Sequence, residues 1–387
     1  MIVTDTVKYV GVNDYDLDLF ESQYMLEKGM AYNSYLILDE KVALMDSVDK
    51  RGTKEWLSNV ERELSGRKID YIVISHMEPD HSGSLFDILE KYPEAVVVGN
   101  AKTFAFISQF SSAELKNPKL EVKEGDELNL GSHTLKFIMA PMIHWPEVMM
   151  SYESSEKILF SADAFGKFGT TDADEDWACE ARRYYFNIVG KYGVQVQGLL
   201  KKIESLDIQK ILPLHGPVLT ENLEYHFSLY KTWSAYEAES KGVFVLHASI
   251  HGNTAKAAEE LAQMIRDCGE ERVVVADLCR EDLAECVEDA FRHDRMILCS
   301  ATYDGGAFVP MEDFLHHLKI KGYKNRTVGL LENGTWAPQA AKSMRTYLEA
   351  MKDINILPET VSIKSSMKEG DKTAMKALAQ AIYNSGK

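Results

Sequence analysis

Hydrophobic and polar positions fall into two textures along this chain. Up to about residue 240, short aliphatic runs are separated by turns. Runs at 35–38 and 42–45 flank Asp39-Glu40-Lys41 and predict a β-hairpin. Residues 52–64 carry apolar positions at helical spacing, and 71–75 is a β-branched run that predicts a buried strand. A helix is expected over 82–92, with Ser82 or Ser84 as cap and Leu85, Ile88 and Leu89 as its apolar stripe. Strands follow at 95–98, 128–130, 134–138, 149–152 and 157–160, then helical pattern over 178–206 and a strand at 208–214.

Beyond a polar stretch at 237–242, read as a linker, strand and helix patterns alternate. Strands are expected at 243–248, 273–276, 296–299 and 327–331, with helices from about 255 and near 281–291, 311–318, 338–350 and 370–384. Such alternation implies a doubly wound parallel sheet. The predicted organisation is one domain over 1–240 and a second over 241–387. A length of 387 residues, too long for one ordinary core, agrees with two.

Candidate chemistry concentrates at the ends of the β-runs. The run at 71–75 stops at His76-Met77-Glu78-Pro79-Asp80-His81, where four possible metal ligands fall within six positions. His144, Asp163 and His215 each lie just past a later run. Ligands at several strand ends can converge on one side of a sheet sandwich while the strands fix their positions. Other residues read as structural: His133 as a turn residue, His226 as packing, Tyr184 and Tyr185 as core, and Glu147 as a surface or supporting residue.

In the second half, Ser249-Ile250-His251-Gly252-Asn253-Thr254 joins a strand to a helix. Its hydroxyls and backbone N–H groups suit a monophosphate. Neither G-x-G-x-x-G nor G-x-x-x-x-G-K-[ST] is present, so a dinucleotide or nucleoside triphosphate loop is not indicated. Two later strand ends, Ser300-Ala301-Thr302-Tyr303-Asp304-Gly305-Gly306 and Glu332-Asn333-Gly334-Thr335-Trp336-Ala337, combine glycine, small polar residues and one aromatic. Charge and cysteine content narrow the partners. A net charge of −17 argues against nucleic acid or an anionic membrane. Five cysteines without a C-x-x-C pair fit a reducing cytoplasm, and no apolar run is long enough to span a bilayer.

The ordered set His76, Glu78, Asp80, His81, His144, Asp163, His215 resembles the metallo-β-lactamase fold, an αβ/βα sandwich with a dinuclear site. Glu78 stands where its hydrolytic members carry histidine. The three later loops resemble those of flavodoxin, which implies FMN held by Ser249–Thr254, 300–306 and 333–337, with His251 where many flavodoxins have threonine. Together the halves resemble the flavodiiron proteins in their minimal two-domain form. That resemblance implies two non-haem irons, with His76, Glu78 and His144 on one, Asp80, His81 and His215 on the other, and Asp163 bridging. Carboxylate-rich ligation favours iron or manganese over zinc. It further implies reduction of dioxygen to water or nitric oxide to nitrous oxide, and an external donor such as rubredoxin or a flavin reductase. A head-to-tail homodimer or dimer of dimers is implied too. The alternative is a dinuclear zinc hydrolase with an appended flavin domain.

Overall fold

The computed structural model describes residues 3–387, and the chain divides into two units, Met1–Tyr230 and Lys231–Lys387. In the first unit two sheets face one another. One is six-stranded, in the order Val7–Tyr9, Tyr35–Leu38, Val42–Met45, Tyr71–Val73, Val96–Gly99, Lys119–Glu121. The other runs Glu127–Asn129, Thr134–Met139, Met149–Glu153, Ile158–Phe160, Lys210–Leu212. The expected hairpin pairs Tyr35 with Met45 and Leu38 with Val42.

Side chains from the inner faces of both sheets make one core, including Ile37, Met45, Val73 and Val98 from the first and Leu135, Phe137, Met149 and Leu212 from the second. Each such fully buried side chain stabilises the fold by roughly 1.5–3 kcal/mol. Helix Thr53–Leu64 lies against strand Tyr35–Leu38 and buries Trp56, Val60 and Leu64, one residue per turn along a single stripe. It ends at Ser65, which adopts the left-handed conformation, its N–H bonded to the Glu61 carbonyl.

Several local expectations change. The 82–92 helix is two pieces, Pro79–Ser82 and Leu85–Lys91. Neither serine caps with its side chain: Ser82 Oγ donates to the Met77 carbonyl, and Ser84 Oγ lies on the Asp49 carbonyl and Thr53 Oγ1. Gly83 between them is required by close approach, since a Cβ there would meet the Pro79 oxygen at 2.6 Å. The 178–206 pattern breaks into Trp177–Tyr184, a π-turn Tyr185–Val189, a 3₁₀ turn Gly190–Tyr192 and Gly193–Ile203. The strand expected at 208–214 is Lys210–Leu212. Between 99 and 127, where the pattern assigns nothing, the structure has helix Ala101–Phe110 and strand Lys119–Glu121.

The second unit holds five parallel strands in the order Val273–Asp277, Ser240–Ala248, His293–Tyr303, Lys324–Asn333, Lys352–Ile363, with a sixth, short strand Gly306–Ala307 antiparallel to His293–Tyr303. Strand order reverses between the first and third strands in sequence, which defines a switch point at their carboxyl ends. The polar stretch at 237–242 is no free linker beyond Ser240, because the first strand begins there and bulges before Val243. Lys352–Ile363 is an edge strand that hydrophobic pattern does not announce. Only Leu357, Val361 and Ile363 are buried, and Pro358 interrupts it beside a register shift. Proline is tolerated at such an edge because one side of the ladder is unpaired. Among the described residues no helix is long and apolar enough to cross a membrane.

His133, read as a turn residue, is 4% exposed and ties the two sheets together. Its Nδ1 donates to Asp39 Oδ2 at 2.9 Å and its Nε2 lies 3.3 Å from Glu156 Oε1. Burial opposes charging the ring, but the Asp39 and Glu156 carboxylates outweigh it and raise the imidazole above its ordinary 6.5. A raised folded-state value means the stabilisation is complete below about pH 6.5 and is lost as pH climbs through the folded value. His133→Gln is therefore expected to cost about 2 kcal/mol at pH 6 and distinctly less at pH 9, read by denaturant unfolding. Equal losses at both pH values would mean the ring is neutral in the fold.

Candidate functional site

The sequence predicted that seven side chains would meet, and the structure brings all seven together. His76 follows strand Tyr71–Val73, Glu78 precedes the short helix Pro79–Ser82, and that helix carries Asp80 and His81. His144 comes from the turn between Thr134–Met139 and Met149–Glu153, Asp163 from just past Ile158–Phe160, and His215 from just past Lys210–Leu212. The strands are short and mostly buried, Met149–Glu153 and Ile158–Phe160 throughout, so each ligand is aimed by a rigid stem.

Two groups of donor atoms result, His76-Glu78-His144-Asp163 and Asp80-His81-His215. Glu78 Oε2 is 3.2 Å from His76 Nε2 and 3.0 Å from His144 Nε2. Asp80 Oδ2 is 3.3 Å from His81 Nε2 and 3.2 Å from His215 Nε2. Asp163 reaches both groups: its Oδ2 is 3.3 Å from His76 Nε2 and from His144 Nε2, and its Oδ1 is 3.2 Å from His81 Nε2.

Side-chain hydrogen bonds alone do not satisfy this cluster. His81 Nε2 and His215 Nε2 stand 3.0 Å apart, and one ring N–H cannot serve two carboxylates and a second nitrogen at once. Both Asp80 oxygens, Asp163 Oδ1 and His144 Nε2 are buried without a hydrogen-bond partner. Among the described residues, the ion pairs of Glu78, Asp80 and Asp163 are all to imidazoles. Burial works against charging His144, but Asp163 and Glu78 lift it to about 9, and His76 and His81 rise too. Asp163 is held well below the carboxylate range by His76, His144 and His81 despite its burial. Every shift favours positive charge at the centre of the cluster. Divalent cations would supply it and displace the ring protons, so the residues present fit a dinuclear metal centre.

Residues outside the seven hold the ligands from behind. Of the two readings of Glu147, surface or support, the structure has the second: it is fully buried. Its Oε1 accepts from His76 Nδ1 at 2.7 Å and from the Met77 N–H at 2.9 Å, which turns the His76 Nε2 lone pair inward. His215 Nδ1 donates to the Ala31 carbonyl at 2.8 Å with the same effect. Asp46, in the left-handed region, accepts from the Ser75 N–H at 2.6 Å and braces the ligand turn. Burial pushes its carboxyl up to about 6. Tyr184 is core, as read from sequence, yet its ring packs 5.5 Å from that of His215, joined there by Phe20 and Tyr32. Tyr185 packs on Tyr230, and His226 lies edge-on to Trp177.

The three loops of the second unit line a cleft of about 550 Å³ at the switch point. Ser249, Ile250, His251, Asn253 and Thr254 border it, with Ala301 to Gly305 and Asn333 to Ala337. Gly252, Ser300 and Gly306 do not. Gly252 sits at φ +84 before helix Asn253–Asp267 and lets the turn expose its N–H groups. Ser300 is buried, accepting from the Phe308 N–H. Gly306 pairs with Tyr303. Gln339 and Ser365 line the cleft unforeseen, and Ser365 reaches it because Asn333 clamps its backbone on both sides. Trp336 and Tyr303 stand exposed at the rim, at 89% and 46%.

Comparison with known proteins agrees with this geometry. The family described as ODP family beta lactamase matches residues 30–216. An anaerobic nitric oxide reductase flavorubredoxin of Aliivibrio fischeri is 30% identical over 360 residues, covering 89% of this chain and 72% of that protein. Diflavin flavoprotein A 1 of Synechocystis is 33% identical over 283 residues, 71% of this chain and 49% of that one. Among solved structures, rubredoxin oxygen:oxidoreductase from Desulfovibrio gigas superposes with a TM-score of 0.92 at 25% identity, covering 100% of this chain and 98% of its own. The flavodiiron protein from Giardia intestinalis gives 0.91 at 25%, covering 99% and 96%. With a lactamase-like unit carrying the ligand cluster and a flavodoxin-like unit carrying the cleft, this chain belongs to the flavodiiron protein family.

Proposed function

We propose that this chain reduces dioxygen to water, nitric oxide to nitrous oxide, or both, at a dinuclear iron centre, with FMN relaying electrons from an external donor. The observation that carries the reading is the placement of Asp163, one oxygen toward each donor group, with the carboxylate of Glu78 completing the first. His76, Glu78 and His144 would hold one iron and Asp80, His81 and His215 the other, with Asp163 between them. Three carboxylates match iron better than zinc, so neither the donor set nor the relatives favour the hydrolase reading. When bound, the irons supply electrons and Lewis acidity and FMN supplies a carrier of one or two electrons.

The protein's own part is positioning and exclusion of water. Glu147 fixes the His76 ring, Ala31 fixes His215, and Phe20, Tyr32 and Tyr184 wall off the His215 side. In the cleft, the turn 249–254 offers N–H groups to a phosphate, and Tyr303 and Trp336 flank the space for a flat ring. Rubredoxin appears in the names of two similar proteins and is the donor class we favour, with a flavin reductase as the other. A head-to-tail homodimer, or a dimer of two such dimers, would bring the flavin of one copy to the irons of the next. Exposed Leu19 and Met25, on the hairpin whose Phe20 packs on His215, and exposed Tyr303, Val309 and Trp336 support such a contact. Five free cysteines support a cytoplasmic setting.

Anaerobic metal and flavin analysis should return about two irons and one FMN per chain, and the reduced protein should consume O2 or NO. Zinc in place of iron, with no gas consumed, would overturn the reading. Glu78→Ala is expected to abolish iron-dependent turnover while leaving the flavin spectrum intact; turnover at the parent rate with normal iron content would remove Glu78 from the centre. Glu147→Gln should weaken iron binding about 10–100-fold without changing FMN content. An unchanged affinity would reduce Glu147 to packing.

A further inference from the structure

One redox-capable side chain of the first unit stands between the ligand cluster and the surface without belonging to either. Trp145 packs edge-on to His76, ring centres 5.3 Å apart at 87°, and lies 6.1 Å from His144. On its other side Phe110 stacks at 6.0 Å and 16°, with Phe106 at 6.1 Å. Phe110 is 50% exposed, so a continuous aromatic wall runs from buried ligands to solvent with the indole in its middle. The ring is held in place by its own backbone, whose carbonyl accepts from the Met142 N–H at 2.8 Å and the Val148 N–H at 3.4 Å. The turn that carries it also delivers His144 to the cluster and Glu147 to the back of His76. A ring needed only to shield His76 could be any aromatic.

Tryptophan and tyrosine are the side chains that most readily surrender an electron. The tyrosines nearest the cluster, Tyr32 and Tyr184, are 2% and 1% exposed, so a phenol proton has no exit to water there. Trp145 is half-buried, in ring contact with two ligands of one group. We infer that Trp145 is an electron outlet that protects the cluster, surrendering one electron and its Nε1 proton to oxidising equivalents that escape productive reduction. The inference rests on the iron reading given under Proposed function. Take hydrogen peroxide as the oxidant. Iron held by the cluster would supply it one electron, so that its O–O bond breaks to hydroxide and a hydroxyl-class oxidant. An electron and a proton from the indole convert that oxidant to water and leave a neutral indolyl radical. The external donor then returns the electron, and water returns the proton.

The test is anaerobic treatment of the reduced, iron- and FMN-loaded protein with hydrogen peroxide, followed by electron paramagnetic resonance of frozen samples and peptide mass spectrometry. The parent protein should give an indolyl radical and an oxygenated product at Trp145. In Trp145→Phe, which keeps a packing ring, the radical should vanish and oxygen addition at His76 and His144 should rise severalfold at equal iron content. Trp145→Tyr should restore protection with a tyrosyl signal in place of the indolyl one. Equal histidine damage in parent and Trp145→Phe, with no indolyl signal, would overturn the inference while leaving the iron reading intact. Failure of the parent protein to retain iron would remove both.

Discussion

Three carboxylates and four imidazoles buried around Asp163 are the constraint on which the first unit turns. A buried charge without compensation costs several kcal/mol even after relaxation. Here the carboxylates crowd around shared imidazole nitrogens, and the protein groups alone leave both Asp80 oxygens and Asp163 Oδ1 without a hydrogen-bond partner. Such an arrangement persists only if the surrounding framework over-determines it and a cation completes it. The framework is visible in Asp46 holding the ligand turn, Glu147 and Ala31 holding two imidazoles, and largely buried strands behind the cluster. Stability and metal chemistry are therefore the same problem in this unit.

The second unit solves a different problem with different means. Its cleft has no buried charge cluster; it is shaped by where parallel strands end and by backbone freedom at Gly252 and Gly305. In the proposed reading, recognition of a phosphate there would depend on N–H groups at the start of helix Asn253–Asp267, a property of the helix terminus more than of any one side chain. On that reading the turn 249–254 would need no lysine or arginine to serve an anion.

The candidate ligands were legible in sequence because His76, His144, Asp163 and His215 each lie just past a hydrophobic run and Glu78, Asp80 and His81 crowd the turn after His76, an ordered local pattern. Their supports were not, beyond Glu147 left open as surface or support. Glu147 meets His76 across 71 positions and Asp46 meets Ser75 across 29, so nothing near either residue signals the contact. Ser365 joins the cleft only because Asn333 on the neighbouring strand clamps it. The edge strand Lys352–Ile363 escaped pattern reading for a physical reason: one flank is solvent, so most of its positions tolerate polar residues, and Pro358 is admissible. Helix Ala101–Phe110 is the opposite case. Asn100 and Thr103 form a reciprocal cap that was available locally.

The order in which the donors occur along the chain has a consequence for biogenesis. His76 to His81 emerge early from the ribosome, but His215 comes 134 positions after His81, and its ring is oriented by Ala31 from near the other end of the unit. Neither donor group is whole until both sheets have paired, since Asp163 and His215 sit past strands of the second sheet. A nascent chain truncated before residue 215 holds all four members of the first donor group but only Asp80 and His81 of the second. The dinuclear donor set is thus complete only late, after the topology is committed, so any discrimination between competing ions would fall to a finished pocket.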